Sequence, residues 1–318
     1  MVYYHVWDNL PLPHYNGNFY RSTDEIVCIS KLTKEVVDGV LQNENSTYLP
    51  HAVNSAFYKF YKPEDERYHR IEDIRKQLTV DIPQAPYKNK NKKIFFWTNR
   101  NARRKQSGTV IWWFKEWLDK VGHDKACLVM HTDPRDPHGQ DLPHIMNQLG
   151  VNKGQVILST NKISLEEMAD FYNSADFTIN IADAEGFGLA TLESLTCGTP
   201  IIVNMTGGLQ EQVTDGENWF GFGLEPSSKA VIGSLQVPYI YEDRVSQNDF
   251  SKALSQALEM SPRVYKKMSI MGREHVRKNY NFEDFERNWI KKIDEVVEKY
   301  GSWETRKHYD RFHLMEIK

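Results

Sequence analysis

Along most of the chain, short apolar runs rich in β-branched and aromatic residues alternate with longer stretches whose apolar positions recur every three or four residues. The runs at 92–98, 126–131, 155–159, 176–181 and 200–204 predict buried strands. The periodic stretches at 108–121, 141–149, 164–174, 188–197 and 208–214 predict helices between them. Strand and helix in strict alternation imply an α/β fold built on a doubly wound parallel sheet. Such sheets bind ligands at the carboxyl ends of their strands, where Arg100, the 131–139 loop and Glu185 would emerge. After residue 248 the pattern becomes purely helical, with helices expected at Asp249–Glu259, Pro262–Asn279 and Phe282–Tyr300. The last carries an apolar stripe of Phe282, Phe285, Trp289, Ile293 and Val296.

Before residue 92 the texture differs. Residues 81–93 are first proline-rich and then basic, which reads as an interdomain linker. The expected organisation is therefore an N-terminal portion at 1–86, a ligand-binding domain at 87–280 and a C-terminal helix at 281–318. With 318 residues, 40% of them hydrophobic, the chain can bury one or two cores. A net charge of −3 gives no global pull toward nucleic acid or an anionic membrane. Cys28, Cys127 and Cys197 lie far apart and form no metal-like spacing, which suits a reducing compartment, and no apolar run approaches the length of a membrane span. The expected setting is cytoplasm, of a cell or of an infected host.

The densest chemistry lies in Ala184-Glu185-Gly186-Phe187-Gly188-Leu189 and the helix it opens. A strand-to-helix turn presents free backbone N–H groups and the positive helix end to an anion. Gly186 and Gly188 let the backbone approach a ligand closely. Glu193, two turns beyond Glu185, could accept two hydrogen bonds from a vicinal diol such as ribose. The same residues also fit a glycine-capped helix start with two solvated glutamates.

Glu185 and Glu193 separated by seven residues, the Gly-Thr-Pro at 198–200 and the Gly207-Gly208-Leu209-Gln210-Glu211 element resemble the signature of the retaining family 4 glycosyltransferases of GT-B fold. Arg100 with Lys105, after an apolar strand, resembles that family's phosphate-binding pair. The segments Ile26–Ser30 and Tyr48–Phe57 resemble the strand-and-serine element and the closing segment of its first domain. The resemblance runs from about residue 20 to 290. It implies a GT-B-like architecture whose Rossmann-like donor domain is intact, with the last helix crossing back onto the first domain. It further implies a metal-independent transfer, with no cofactor beyond the nucleoside-diphosphate sugar substrate and a glycosyl acceptor as second partner. Arg100 and Lys105 would neutralise the departing diphosphate, helped by backbone N–H groups of Phe187, Gly188 and Leu189. Glu185 would face the sugar, Lys162 and Ile163, which fit a plain helix entry as well, the base, and Gly207 and Gly208 the sugar or diphosphate.

The N-terminal portion departs from the family pattern. Its serine-ended strand begins near Ile26, so most of the family's first-domain sheet, its glycine-rich loop and its usual histidine are missing. His5, His14 and His51 are candidates for a replacement histidine, although each reads more readily as a surface or packing residue. A portion this short implies dimerisation, a separately encoded N-terminal half, or a compact remnant packed on the donor domain. Two other functions stay open: a donor-binding subunit or inactive homologue, and a glycosyltransferase acting on modified nucleic acid, which only Lys88–Lys93 and Arg100–Lys105 support. The 131–139 loop collects His and Asp, but its two prolines break any regular ligand geometry, and no metal site is expected there. The 221–246 segment reads as an insertion, either a cap over the site or a packed surface loop.

Overall fold

The computed structural model describes residues 1–43, 46–79 and 92–307. Most of the predicted linker, 81–91, lies outside the described residues. The N-terminal portion is a small parallel sheet of β1 (Val2–His5), β2 (Glu25–Cys28) and β3 (Thr47–Tyr48), with β2 central. The strand expected at Ile26–Ser30 stops at Cys28 because Ser30 is already extended as an N-cap. Its hydroxyl accepts the Thr33 N–H at 3.1 Å and opens α2 (Lys31–Leu41). Helix α1 (Gly17–Arg21) precedes β2, and α3 (Tyr68–Thr79) follows β3.

Lys93–Thr98 (β4), Ala126–His131 (β5), Val156–Ser159 (β6), Phe177–Asn180 (β7), Ile201–Asn204 (β8) and Gly221–Leu224 (β9) form one six-stranded sheet in the order β6-β5-β4-β7-β8-β9, parallel throughout. Between them run α4 (Ser107–Val121), α5 (Leu142–Leu149), α6 (Leu165–Ser174), α7 (Leu189–Thr196) and α8 (Leu209–Val213). The first five strands and these helices fall within a residue or two of their predicted bounds. β9 was not predicted, and it corrects the reading of 221–246 as an inserted loop. The rest of that segment is an antiparallel hairpin of β10 (Ser228–Ile232) and β11 (Ile240–Arg244). Helices α9 (Gln247–Glu259), α10 (Pro262–Asn279) and α11 (Phe282–Tyr300) follow.

Alternation along each strand divides the interior in two. Phe95 and Trp97 point into one core with Phe114, Trp117 and Leu254, while Ile94 and Phe96 point into the other with Tyr172, Leu192 and Val276. The segment 53–79 joins the second core through Val53, Tyr58, Tyr61 and Ile71. There α3 lies against α6, held by Arg67 on the fully buried Asp170 carboxylate at 2.6 and 2.9 Å. Helix α11 returns to the N-terminal sheet. Trp289 meets Tyr4 edge to face at 5.1 Å, Phe285 stacks on His51 at 5.2 Å, and Lys292 reaches Glu25 at 3.5 Å. Ile293, expected in the docking stripe, is half exposed.

Candidate functional site

The order of the large sheet reverses direction between β4 and β7. That is a topological switch point, the place where an open α/β sheet leaves a crevice beyond its carboxyl ends. The loops leaving these two strands carry Arg100–Lys105 and Ala182–Gly188. They are tied together by backbone: Asp183 N–H donates to the Arg104 carbonyl at 2.8 Å, and the Arg104 guanidinium donates to the Ala184 carbonyl. Between the loops the Lys105 ammonium pairs with the Glu185 carboxylate, both buried, and Asn180 at the end of β7 donates to the same oxygen at 3.2 Å. Burial lowers the Lys105 pKa and the Arg104 charge lowers it further, while Glu185 opposes both.

The glycine turn has a steric reason for each glycine. Gly188 lies at φ +93°, in the left-handed region, and starts α7. Gly207 lies at φ +51°, and a Cβ there would stand 1.8 Å from the Glu185 carbonyl oxygen. The Gly208 N–H donates to that same carbonyl at 3.0 Å, and a Cβ on Gly208 would meet Phe187 backbone at 2.7 Å. The turns after β7 and β8 are therefore pressed backbone to backbone. A Cβ on Gly186 would sit 2.3 Å from Val6 Cγ1, so the segment leaving β1 rests on the turn from the other side. Phe187 turns its ring inward against His51 and Tyr280, and Leu189 is exposed at the helix start.

The remaining expected residues are dispersed. Glu193 accepts the Tyr172 hydroxyl at 2.7 Å and a second hydrogen bond from Tyr58; burial raises its pKa and the two phenols oppose the rise. Lys162 and Ile163 sit in the loop between β6 and α6, the lysine exposed, just ahead of a capping box of Ser164 and Glu167. Arg100 does not converge on Lys105. It is 62% exposed and donates through Nε and a terminal nitrogen to Asp136 at 2.6 and 3.2 Å, pinning the 131–139 loop. Glu211 reaches into the N-terminal sheet, accepting the Lys31 N–H at the start of α2 at 3.0 Å and the Tyr48 hydroxyl at 3.1 Å.

Of the three candidate histidines, His5 is buried with Nε2 2.7 Å from the Tyr20 hydroxyl, and His51 is sandwiched between Phe187 and Phe285. His14 lies in a short 3-10 turn. The titratable N-terminal group that does approach the crevice is Asp8, missed in the sequence. Its Cβ lies 3.4 Å from where a Gly207 Cβ would be, and its carboxyl feels Arg104, Glu185 and Lys105, with burial raising its pKa. The hairpin forms the adjoining wall. Arg103 forks onto the buried Glu242 at 2.6 and 3.0 Å, Asn204 donates to the Asp243 carbonyl at 2.8 Å, and Asp243 N–H donates to the Asp183 carbonyl at 2.9 Å. Asp183, buried and close to Glu242, is raised to about 6. Among the described residues no group of three or more His, Cys, Asp or Glu is arranged to hold a metal ion, and no helix is long and apolar enough to cross a membrane.

Residues 81–275 match the family model described as glycosyl transferases group 1. The chain is 23% identical over 276 residues to the alpha-monoglucosyldiacylglycerol synthase of Streptococcus pneumoniae, covering 78% of this chain and 58% of that protein. Over 113 residues it is 27% identical to a D-inositol 3-phosphate glycosyltransferase of Arthrobacter, covering 36% of this chain and 26% of the other. Among solved structures it resembles Anabaena HepE in complex with UDP and glucose, with TM-score 0.67 and 14% identity over 92% of this chain and 71% of that one. Sucrose-phosphate synthase from Thermosynechococcus elongatus gives TM-score 0.65 and 18% identity over 89% and 61%. The chain thus spans less than two thirds of the length of the synthases from S. pneumoniae and T. elongatus. These likenesses show the fold, a GT-B-like α/β architecture with parallel sheets.

Proposed function

Because the chain belongs to the glycosyl transferases group 1 family, we propose that it transfers a sugar from a nucleoside-diphosphate donor to a hydroxyl acceptor, with retention at the anomeric carbon. The observation that carries this reading is the buried Lys105–Glu185 pair at the switch point, set against the two interlocked glycine turns. The donor's diphosphate lies toward Lys105 and the N-terminus of α7, where ammonium and backbone N–H groups oppose the charge that grows on it. As the bond between the anomeric carbon and the phosphate oxygen breaks, its electron pair passes to the diphosphate. The acceptor oxygen forms the new bond on the same face and gives its proton to the departing phosphate. Glu185, released from Lys105 as the diphosphate takes its place, holds sugar hydroxyls or offsets positive charge on the anomeric carbon. Glu193 takes the ribose diol in exchange for its phenol partners, and the 162–163 backbone meets the base. Lys105 and the turn supply the neutralising charge, so this mechanism assigns no role to a metal. The division at 1–86, 87–280 and 281–318 gives the donor site to the middle part and the acceptor side to the first.

The test is a thermal-shift panel of UDP-, GDP- and ADP-sugars, since a ligand at 100 times its Kd stabilises by about 2.7 kcal/mol. One donor is expected to raise the melting temperature, and Lys105→Ala to lower turnover by roughly 100-fold or more with a smaller effect on donor affinity. No shift with any donor sinks the proposal. A second reading, a donor-binding subunit without turnover, is favoured by the protein partners already filling both glutamates, Lys105 on Glu185 and the tyrosines on Glu193. Donor binding without hydrolysis or transfer would select it.

A further inference from the structure

The hairpin β10–β11 has two unlike faces. On one, Glu242 is buried beneath Arg103; on the other, Asp243 and Tyr241 alternate outward, with Tyr239 just before the strand. Their cross-strand partners on that second face are Lys229, opposite Asp243, and Val231, opposite Tyr241. The face begins at the glycine turns. Asp243 accepts the Thr206 hydroxyl at 2.8 Å, one residue before Gly207, and its other oxygen lies 3.3 Å from the Lys229 ammonium. Tyr239 is four residues from Asp243, about 13 Å of extended chain. The Tyr239 and Tyr241 rings stand 6.3 Å apart at 64°; Tyr239 and Val231 are exposed and Tyr241 is half-buried. Their backbone is held from the N-terminal side. Tyr241 N–H donates to the Leu10 carbonyl at 2.6 Å, Asn9 donates to the Tyr241 carbonyl at 2.7 Å, and the Tyr15 hydroxyl donates to the Tyr239 carbonyl at 3.3 Å. The face therefore runs from the donor-side turn to the portion assigned to the acceptor.

The order of groups along this face selects the ligand. A sugar offers hydroxyls to the Lys229–Asp243 rung and the C–H side of its ring to a phenol, so it satisfies both kinds of group at once. An acyl chain fits poorly, because it strips water from Lys229 and Asp243 without replacing their hydrogen bonds. We infer that this hairpin face is an acceptor subsite, and that the acceptor is an oligosaccharide whose reacting end reaches Glu185 while a neighbouring ring rests on Tyr241 and Tyr239. The inference rests on the donor reading above. The tyrosines hold a part of the acceptor that does not react, so they set which acceptor is taken.

The full chain, saturated with whichever of UDP, GDP and ADP it binds, is passed over an array of immobilised oligosaccharides and over vesicles of phosphatidylcholine and phosphatidylglycerol. Capture by an oligosaccharide is expected, and titration with that compound in free form then gives its Kd. Tyr239→Ala combined with Tyr241→Ala is expected to weaken it about 10-fold or more, while changing the nucleotide's Kd less than about 3-fold. Tyr239→Ala alone, at the more exposed ring, serves as the test if the double variant does not fold. Phenylalanine at both positions keeps the ring faces and is expected to stay within about 3-fold of wild type. Alanine variants that bind the oligosaccharide as wild type does overturn the inference. So do phenylalanine variants as weak as the alanine ones, which would shift recognition from ring faces to hydroxyls. An equal loss of nucleotide overturns it as well, because damage to the wall would move both ligands. Capture by vesicles and by no oligosaccharide replaces it with a lipid surface. A wild type that binds none of the three nucleotides sinks the donor reading itself, while a nucleotide-binding wild type that captures no oligosaccharide sinks only this inference.

Discussion

The two sheets of this molecule are stabilised in different ways. The six-stranded sheet is covered on both faces by helices, and its strands β4, β5 and β8 are near-continuous apolar runs because both of their faces are buried. Among the described residues, the three-stranded sheet and its helices form one small cluster of their own, Tyr20, Ile26, Cys28, Val37 and Val40. A core of that size cannot offset the conformational entropy of ordering its residues. What completes it are contacts with the larger unit: Val6 on Gly186, Glu211 on Lys31 and Tyr48, and Tyr4 on Trp289. One region stands by its own packing, and the other by leaning on the turns that carry the candidate chemistry.

The sharpest way to break this contrast is a matched pair of cavities. Phe95→Ala, at a fully buried site between Phe114, Trp117 and Phe177, is expected to cost about 3–5 kcal/mol in urea unfolding of the whole molecule. Val37→Ala, equally buried in the small cluster, is expected to speed amide exchange chiefly across residues 2–41 and to move the main transition far less. Equal shifts of the main transition would show one cooperative unit instead of two.

Proton linkage sharpens the same comparison. Asp183 titrates near 6 in the folded chain because of burial, against 3.8 for the free side chain. Its raised value means that the unfolded chain gives up this proton first, so stability falls as pH rises through that window and is level above it. Wild type is therefore expected to lose up to about 3 kcal/mol between pH 4 and pH 7 relative to Asp183→Asn. The readout is denaturant unfolding at each pH, and parallel curves for the two proteins would rule the effect out. A smaller effect tests the leaning contact directly. Gly186→Ala forces Val6 aside and is expected to loosen exchange at residues 2–8 by about 1–2 kcal/mol, with Val6→Ala restoring protection. Failure of that rescue would mean the strain falls elsewhere.

The contrast also explains what could be read from sequence. Apolar runs such as Ile94–Trp97 and Ala126–Met130 announce strands because both faces are buried, and their helices carry the matching period. β1 is four residues, three of them only half-buried, and Val-Tyr-Tyr-His has no pattern of its own. β9 hides behind glycines at 221 and 223, which leave no side chains to alternate and which the close passage of Ile201 and Met205 requires. Glu185, Lys105 and the two glycine turns could be singled out as candidates because their spacing is local to the loops that present them. Asp8 could not, since its place beside the crevice comes from long-range packing. The surface pairing of Arg100 was hidden for the same reason, as Asp136 is contributed by another loop.

The hydrogen bond from Gly208 to the Glu185 carbonyl, with no room for a methyl between the two turns, makes them a single mechanical part. Neither loop can be re-shaped on its own to admit a bulkier or differently oriented sugar. Altering donor preference by redesign would have to change residues 185–188 and 207–208 in concert, so successful variants should arise from paired libraries and seldom from either loop mutated by itself.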